Sequence, residues 1–293
     1  MKEGTTALFF LLPSIALVGY FVYVTIGWNV IVSLSAWLEL RPDYNFVGLS
    51  NYAYIFSQST FWISLENNLL LILLFVPSSI LLGLLLAILL NSRLKVEGVF
   101  RTVYLLPFSL SFVITASLWA WMYNPGPPTG VINSLLNHVG LSFLKNITWT
   151  NNSSLALYCV IIALVWQFSG YTMLIFLAGI KSIPESQVMA AEVDGASGSR
   201  LYTRIIIPQL KSSVLAAFVI LMVFALKAFD FIFVLTGGGP AGTSTYVLPL
   251  LMYKTTFGQD FYAYGAAVAT VLFVLVMIIV IPYLYMSFRR KEG

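Results

Sequence analysis

Long unbroken apolar runs dominate the chain, with neither the two-residue alternation of a half-buried strand nor the narrow stripe of a surface helix. Crossing a hydrocarbon core of about 30 Å takes roughly 20 helical residues. Six runs reach that length, near 7–34, 69–90, 103–123, 155–180, 212–236 and 261–288, and all but the fifth lack Asp, Glu, Lys and Arg. The pattern predicts an all-α integral membrane protein with six crossing helices, residues 1–293 forming a single transmembrane domain. The first run is too long for a signal-peptide core and reads as a retained helix. Pro13, Pro77, Pro107 and Pro282 fall within or beside runs, where they predict kinks. Gly83 with Ala87, and Gly265 with Ala269, have the spacing that lets helices approach closely.

Composition reinforces this picture. Of 293 residues, 59% are hydrophobic and 9% charged, against about 25% charged in an average soluble domain. That leaves too little charge to clothe a water-soluble fold and excludes a soluble enzyme. One cysteine, Cys159, and one histidine, His138, exclude a disulfide framework and a Cys- or His-based metal cluster.

The formal charge is +4, and its placement matters more than its size. Lys2, Arg93, Lys95, Arg101, Lys181, Arg200, Arg204, Lys211, Arg289, Arg290 and Lys291 fall on one side of the six runs. The other side has Arg41, Lys145 and Lys254, while Lys227 lies within the fifth run. The positive-inside bias predicts that both termini and both basic loops are cytoplasmic. Basic residues so distributed report topology rather than nucleic-acid binding.

On the outer side, 35–65 carries Trp, Tyr and Asn, and its end is expected to lie along the membrane surface before the second span. Segment 124–154 opens with Asn124-Pro125-Gly126-Pro127-Pro128, a helix stop, and holds glycosylation-type sequons at Asn146, Asn151 and Asn152. Gly237-Gly238-Gly239-Pro240 is a glycine-rich turn with no following Gly-Lys-Ser/Thr, so it is not a phosphate loop.

The most informative loop is 180–211. Ile183-Pro184-Glu185 suits a helix start, and 186–193 predicts a short amphipathic helix stopped by Gly195. A second short helix is expected from Ser197 or Ser199 toward Ile207, with Pro208 beginning the fifth span. Small side chains at Ala190 and Ala191 let another surface come close, which makes the loop a docking element.

This loop resembles the cytoplasmic Glu-Ala-Ala loop of ATP-binding-cassette importer permeases. Ala190, Ala191, Gly195, Ile205 and Pro208 stand at that pattern's spacing. Met189 replaces its leading Glu and Ile207 its Leu, while Glu185, Glu192 and Asp194 remain nearby. The carbohydrate branch is resembled further by Phe46-Val47-Gly48-Leu49-Ser50-Asn51-Tyr52, by Phe100-Arg101-Thr102 with Leu106-Pro107, and by the run Phe229 to Pro240.

The resemblance implies a type I importer permease in the cytoplasmic membrane of a prokaryote. It implies a second homologous permease, most simply in a heterodimer, two ATP-binding subunits that hold ATP and Mg, and an extracytoplasmic solute-binding protein. The chain itself then holds no cofactor and is no enzyme. Glu185, Met189, Ala190, Ala191, Asp194 and Gly195 become the ATPase-coupling residues. The solute becomes a sugar, oligosaccharide, polyol or related compound.

Polar groups inside spans are costly and therefore mark candidate solute contacts. Lys227 and Asp230, three apart, are expected on one helix face as a pair in the outer half of the fifth span. Gln167 and Tyr171, four apart, share a face in the fourth. With Trp166 and Phe229 they offer the amides, acids and rings that suit sugars, and Asn67, Asn68, Ser169 and Gly170 are further candidates. Each can equally serve helix packing. Two rival functions stay open: a permease of the same superfamily for amino acids, peptides or anions, and a stand-alone secondary transporter with Asp230 as its ion-coupling group. A membrane enzyme would need a catalytic constellation, and no intramembrane pair of carboxylates supplies one.

Overall fold

A computed structural model describes residues 2–91, 97–126, 130–141, 147–239 and 242–289. Arg93, Lys95, Pro127, Pro128, Lys145, Asn146, Pro240, Arg290 and Lys291 lie outside the described residues. In chain order the helices are α1 (Lys2–Val18) and α2 (Thr25–Ser33), joined through a π-helical turn Gly19–Val24; α3 (Ser50–Ser57); α4 (Ser59–Asn91); α5 (Glu97–Ser109); α6 (Phe112–Met122); α7 (Val131–His138); and α8 (Ala156–Lys181). Then come α9 (Glu185–Val193); α10 (Ser199–Leu201), passing through a π-helical turn Tyr202–Ile206 into α11 (Ile207–Gln209); α12 (Lys211–Lys227); α13 (Asp230–Thr236); α14 (Leu248–Tyr253) with a π-helical turn Lys254–Gly258; and α15 (Tyr262–Arg289). The described residues contain no strand, only an isolated bridge between Ser35 and Phe46.

Among the described residues, four helical segments are long and apolar enough to cross a membrane: Phe10–Ser33, Ser59–Asn91, Ala156–Lys181 and Tyr262–Tyr285. Two bent pairs raise the number to six if each counts as one span: α5 with α6, turned by 94°, and the 199–209 helix with α12, turned by 65°.

The chain divides into two compact units. The first comprises Met1–Trp62 and Leu248–Met277. Here Asn29 donates to the Ala266 carbonyl (3.1 Å) and Thr270 Oγ1 (3.0 Å), and Trp37 stacks on Tyr262 at 5.0 Å. Asn51 is buried and donates to the carbonyls of Ser33 (2.9 Å) and Ser35 (2.8 Å), while Tyr52 meets the Ser33 hydroxyl at 2.7 Å. The Phe46-to-Tyr52 motif therefore ties down the chain that leaves α2, satisfying carbonyls that a helix end orphans.

The second unit comprises Ile63–Val247 and Ile278–Gly293. Its interior helix is α8, 67% buried over its most apolar stretch, whereas Phe10–Ser33 in the other unit is 6% buried. Thr172 on α8 donates to the Ser79 carbonyl of α4 at 2.9 Å. A side chain at Gly83 would place its Cβ 2.1 Å from the Thr172 hydroxyl, so the glycine is what permits this approach. Ala87, one turn on, is fully buried. At one end of α4 and α8, Leu86, Ala87, Leu90, Met173, Phe176, Leu177 and Ile180 form a core with Ile206, Leu210 and Ala217.

α3 is a separate short helix at Ser50–Ser57, and α4 is a continuous helix of 33 residues from Ser59. No Pro or Gly interrupts 59–76, so the helix simply propagates. The third span is not a straight helix over 103–123: α5 ends at Ser109 and α6 restarts at Phe112. Pro107 removes a ladder hydrogen bond just upstream, and Ser111, extended at φ −66° and ψ 151°, accepts from the Ile114 N–H as an N-cap. The fifth span is not continuous over 212–236 either. Its helix stops at Lys227 and a new one starts at Asp230, without any proline or glycine at the break.

Candidate functional site

In the 180–211 loop, α9 starts from Pro184, which caps the helix from outside rather than forming its first turn. At the other end Gly195 has φ +82°. Its N–H donates to Glu192 at 3.0 Å, and the Ala196 N–H donates to Ala191 at 2.9 Å. That pair of bonds closes the helix in a left-handed cap that favours glycine. A Cβ at Gly195 would meet nothing within 4 Å, so conformation, not crowding, demands the residue.

Glu185, Ala190, Asp194 and Gly195 are exposed, and Met189 is 52% exposed. Ala191 turns inward and is buried, leaving Ala190 as the small residue that an approaching surface can meet. Met189 with Val193, four apart and both exposed, presents an apolar stripe beside these acids.

The loop is not a free tether. The second helix runs from Ser199 through Gln209, so Pro208 sits in its last turn and the bend falls at Leu210 rather than at the proline. Ile206 and Leu210 are buried in the core at the end of α4 and α8, and Ile183, Leu201 and Tyr202 pack against it. Asn91 at the end of α4 donates to the Tyr202 hydroxyl at 3.3 Å. An ion pair between Lys181 and Glu97 joins the end of α8 to the start of α5.

The other candidate region surrounds the break after α12. Ala228, at φ −68° and ψ 74°, forms an inverse γ-turn in which the Phe229 N–H donates to the Lys227 carbonyl at 2.7 Å. Ending a helix here orphans the carbonyls of its last turn. One of them, on Ala225, accepts from Asn68 Nδ2 of α4 at 3.4 Å. The neighbouring Asn67 donates to the carbonyls of Thr243, Ser244 and Tyr246 at 3.3, 3.2 and 2.8 Å, holding the segment after α13. Both asparagines are thus occupied by backbone.

The break opens onto a cavity of about 240 Å³. Phe75, Phe112, Phe168, Phe224, Phe229 and Phe231 line it, with Lys227 and Asp230 as its charged groups. Of the ten solute-site candidates, Lys227, Phe229 and Asp230 therefore come together. They do so differently from the expected helix face: the break separates Lys227 from Asp230, and no ion pair joins them among the described residues.

Gln167 and Tyr171 do share a face of α8, but it is turned to the α5–α6 bend. Gln167 is fully buried and its Nε2 donates to the Leu110 carbonyl at 3.4 Å, while its Oε1 has no hydrogen bond. Tyr171 stacks on Phe108 at 4.6 Å. Trp166 packs edge-on against Trp119 at 5.8 Å, and the Ser169 hydroxyl bonds back to the Trp166 carbonyl at 2.9 Å. A Cβ at Gly170 would fall 1.8 Å from the Tyr104 carbonyl, so that glycine lets α5 pack on α8.

Apart from Phe229, the phenylalanines that build the cavity wall escaped sequence reasoning. Phe168 touches Phe75, Phe108, Phe112 and Phe224, from four other helices. Single apolar residues inside apolar runs carry no signal of such convergence. The break itself supplied the only local cue, a Lys and an Asp within a span.

Residues 79–291 match the family of binding-protein-dependent transport system inner membrane components. The chain is 56% identical over 283 residues to a Pyrococcus horikoshii protein described as a probable ABC transporter permease, covering 97% of this chain and 96% of that one. It is 44% identical over 282 residues to the xylose/arabinose import permease protein of Haloferax volcanii, covering 96% and 86%. Its fold matches a subunit of a bacterial alginate ABC transporter, solved with an alginate pentasaccharide-bound periplasmic protein, at a TM-score of 0.85 and 23% identity, over 100% and 97% of the two chains. The chain belongs to the family of binding-protein-dependent transport system inner membrane components, as a membrane-spanning permease subunit of an ABC transporter whose ATPase activity resides in separate subunits.

Proposed function

We propose that this permease forms half of the translocation route of an importer for a sugar, oligosaccharide, polyol or related solute. The xylose/arabinose and trehalose/maltose permeases among its relatives support that solute class. So does a cavity walled by phenylalanines, whose rings can face the apolar side of a sugar while Lys227 and Asp230 reach its hydroxyls. In this reading all of 1–293 works as one permease domain with six crossings, four of them single helical segments and two of them bent pairs. Both termini and the coupling loop face the cytoplasm, as the distribution of Lys and Arg favours.

The remaining parts are a second homologous permease in a heterodimer, two ATP-binding subunits that hold ATP and Mg, and an external solute-binding protein. One observation carries the coupling role: the helix following α9 is planted in the core shared by α4 and α8. A pull on Glu185, Met189, Ala190, Asp194 or Gly195 is therefore transmitted to α4 at Leu86 and Leu90. About 33 Å away along the same helix, at 1.5 Å per residue, Asn68 holds the Ala225 carbonyl beside the cavity. ATP shifts the balance between inward- and outward-facing states only if α9 makes different contacts in each.

Gentle-detergent purification of the tagged chain tests this directly. Recovery of an ATP-binding subunit and a second permease is expected, with ATP hydrolysis stimulated by sugar-loaded binding protein. A lone chain that transports in liposomes without ATP refutes the proposal.

A further inference from the structure

Charge in the coupling loop is sorted by helix. Glu185, Glu192 and Asp194 lie on or just after α9, which has no base. Arg200, Arg204 and Lys211 follow, with no Asp or Glu anywhere from 195 to 229. The two sets do not neutralise each other, since none of these residues enters an ion pair among the described residues.

Arg200 and Arg204, four apart, and Lys211 are all exposed. The opposite side of the same helix, at Leu201, Tyr202, Ile206 and Leu210, packs on the protein core, so the cationic side is directed away from it. Depth favours one occupant for this stripe. Lys211 is the first residue of α12, two serines ahead of an apolar run from Val214 to Leu226, and so stands at the edge of the hydrocarbon. From Arg200 to Lys211 the helix covers about 16 Å, but with its axis turned 65° from α12 it travels only about 7 Å along the α12 direction. A headgroup layer is about 5–8 Å deep on each side of the hydrocarbon core.

We propose that the 199–209 helix and Lys211 form a docking surface for acidic phospholipids, with Arg200, Arg204 and Lys211 holding lipid phosphates in the leaflet on the coupling-loop side. The reading rests on α12 crossing the membrane along its normal. The acidic α9, repelled by the same lipids, is left facing the protein partner. The lipid surface would then hold the base of the coupling element in place while α9 is pulled.

The test uses the intact complex in mild detergent, titrated with phosphatidylglycerol or phosphatidylcholine, with bound lipid counted by native mass spectrometry and subunit recovery measured alongside. Arg200→Gln, Arg204→Gln and Lys211→Gln together are expected to weaken phosphatidylglycerol retention, by about five-fold for each charge removed, and to leave phosphatidylcholine unchanged. Arg200→Lys with Arg204→Lys should retain the preference. If the triple variant fails to fold, Arg200→Gln and Arg204→Gln carry the test singly, each with about the same five-fold loss. Equal phosphatidylglycerol retention in variant and wild type overturns the proposal. So does loss of the ATP-binding subunit with lipid retention intact, which assigns the stripe to a protein partner. If wild-type chain recovers no ATP-binding subunit, the importer reading fails instead, and lipid counts on the chain itself still decide this one.

Discussion

Two helices of this permease end without a proline, and they end differently. At the exposed end of α9, Gly195 takes a left-handed conformation and two backbone N–H groups from the next residues close the last turn. At the end of α12 the chain makes a γ-turn at an ordinary alanine, and the Ala225 carbonyl is taken by an asparagine from another helix. Water satisfies whatever the first terminus leaves over, so local chemistry is enough. Ala225 is buried, and an orphaned carbonyl there needs a partner supplied by the fold. The first kind of stop is encoded in three adjacent residues; the second is shared between residues 157 positions apart.

Breaking the second stop should do the most damage. Asn68→Leu leaves the Ala225 carbonyl buried and unpaired, at a cost of about 1–3 kcal/mol. We expect a lower unfolding midpoint for the purified complex and loss of solute uptake, with ATP-binding subunits still attached. Wild-type thermal stability in that variant would show that the asparagine does not cap the break.

Asp230→Asn leaves the break intact and removes a charge from the cavity. Uptake should weaken on the order of tenfold in KM, the scale of losing one charged hydrogen bond, while the assembled complex is recovered in full. Loss of assembly without a change in KM would make Asp230 a structural residue.

The first stop is attacked by Gly195→Val, since a β-branched residue strains a positive φ by about 1–2 kcal/mol. Insertion and folding should survive because the site is open, but solute moved per ATP hydrolysed should drop. Gly195→Asn, which tolerates the left-handed region, should restore most of it. An unchanged ratio in the valine variant would detach this cap from coupling.

Smallest of all should be Gln167→Met. It removes one long hydrogen bond to Leu110 along with a buried oxygen that has no partner, and a net stability change within about 1 kcal/mol is expected. A large rise in KM would instead return Gln167 to the solute site.

The same contrast explains what the sequence made legible. Spans at α8 and α15 could be placed to within a residue or two because their ends coincide with a change from apolar to polar residues. The helix α9 was legible because Pro184 and Gly195 act on their own neighbours. Pro107 announced trouble in the third span, but not a turn of 94°. Lys227 and Asp230 marked the region where α12 ends, but not a break at Ala228, because the group that takes the Ala225 carbonyl, Asn68, lies on α4. Gln167 and Tyr171 were rightly given one face, yet a heptad of sequence could not tell a cavity from a neighbouring bend. Lys227, Phe229 and Asp230 reached the cavity for a reason unlike the continuous helix that suggested them.

The length of α4 has a consequence for the membrane around it. Its 33 residues extend about 50 Å, well beyond a hydrocarbon layer of about 30 Å. Asn67 and Asn68 are its last polar residues before the unbroken apolar run from Leu69 to Pro77, and in the six-crossing reading proposed above they stand where the helix leaves the lipid tails. A thicker bilayer draws that boundary outward and a thinner one tilts the helix, at fractions of a kcal/mol per Å of mismatch. Because Asn67 and Asn68 grip the backbone after α13 and at the end of α12, a change in acyl-chain length acts on the walls of the cavity as well as on the helix. Solute affinity measured in short-chain and long-chain lipids should therefore differ, even where headgroup and ATP supply are held constant.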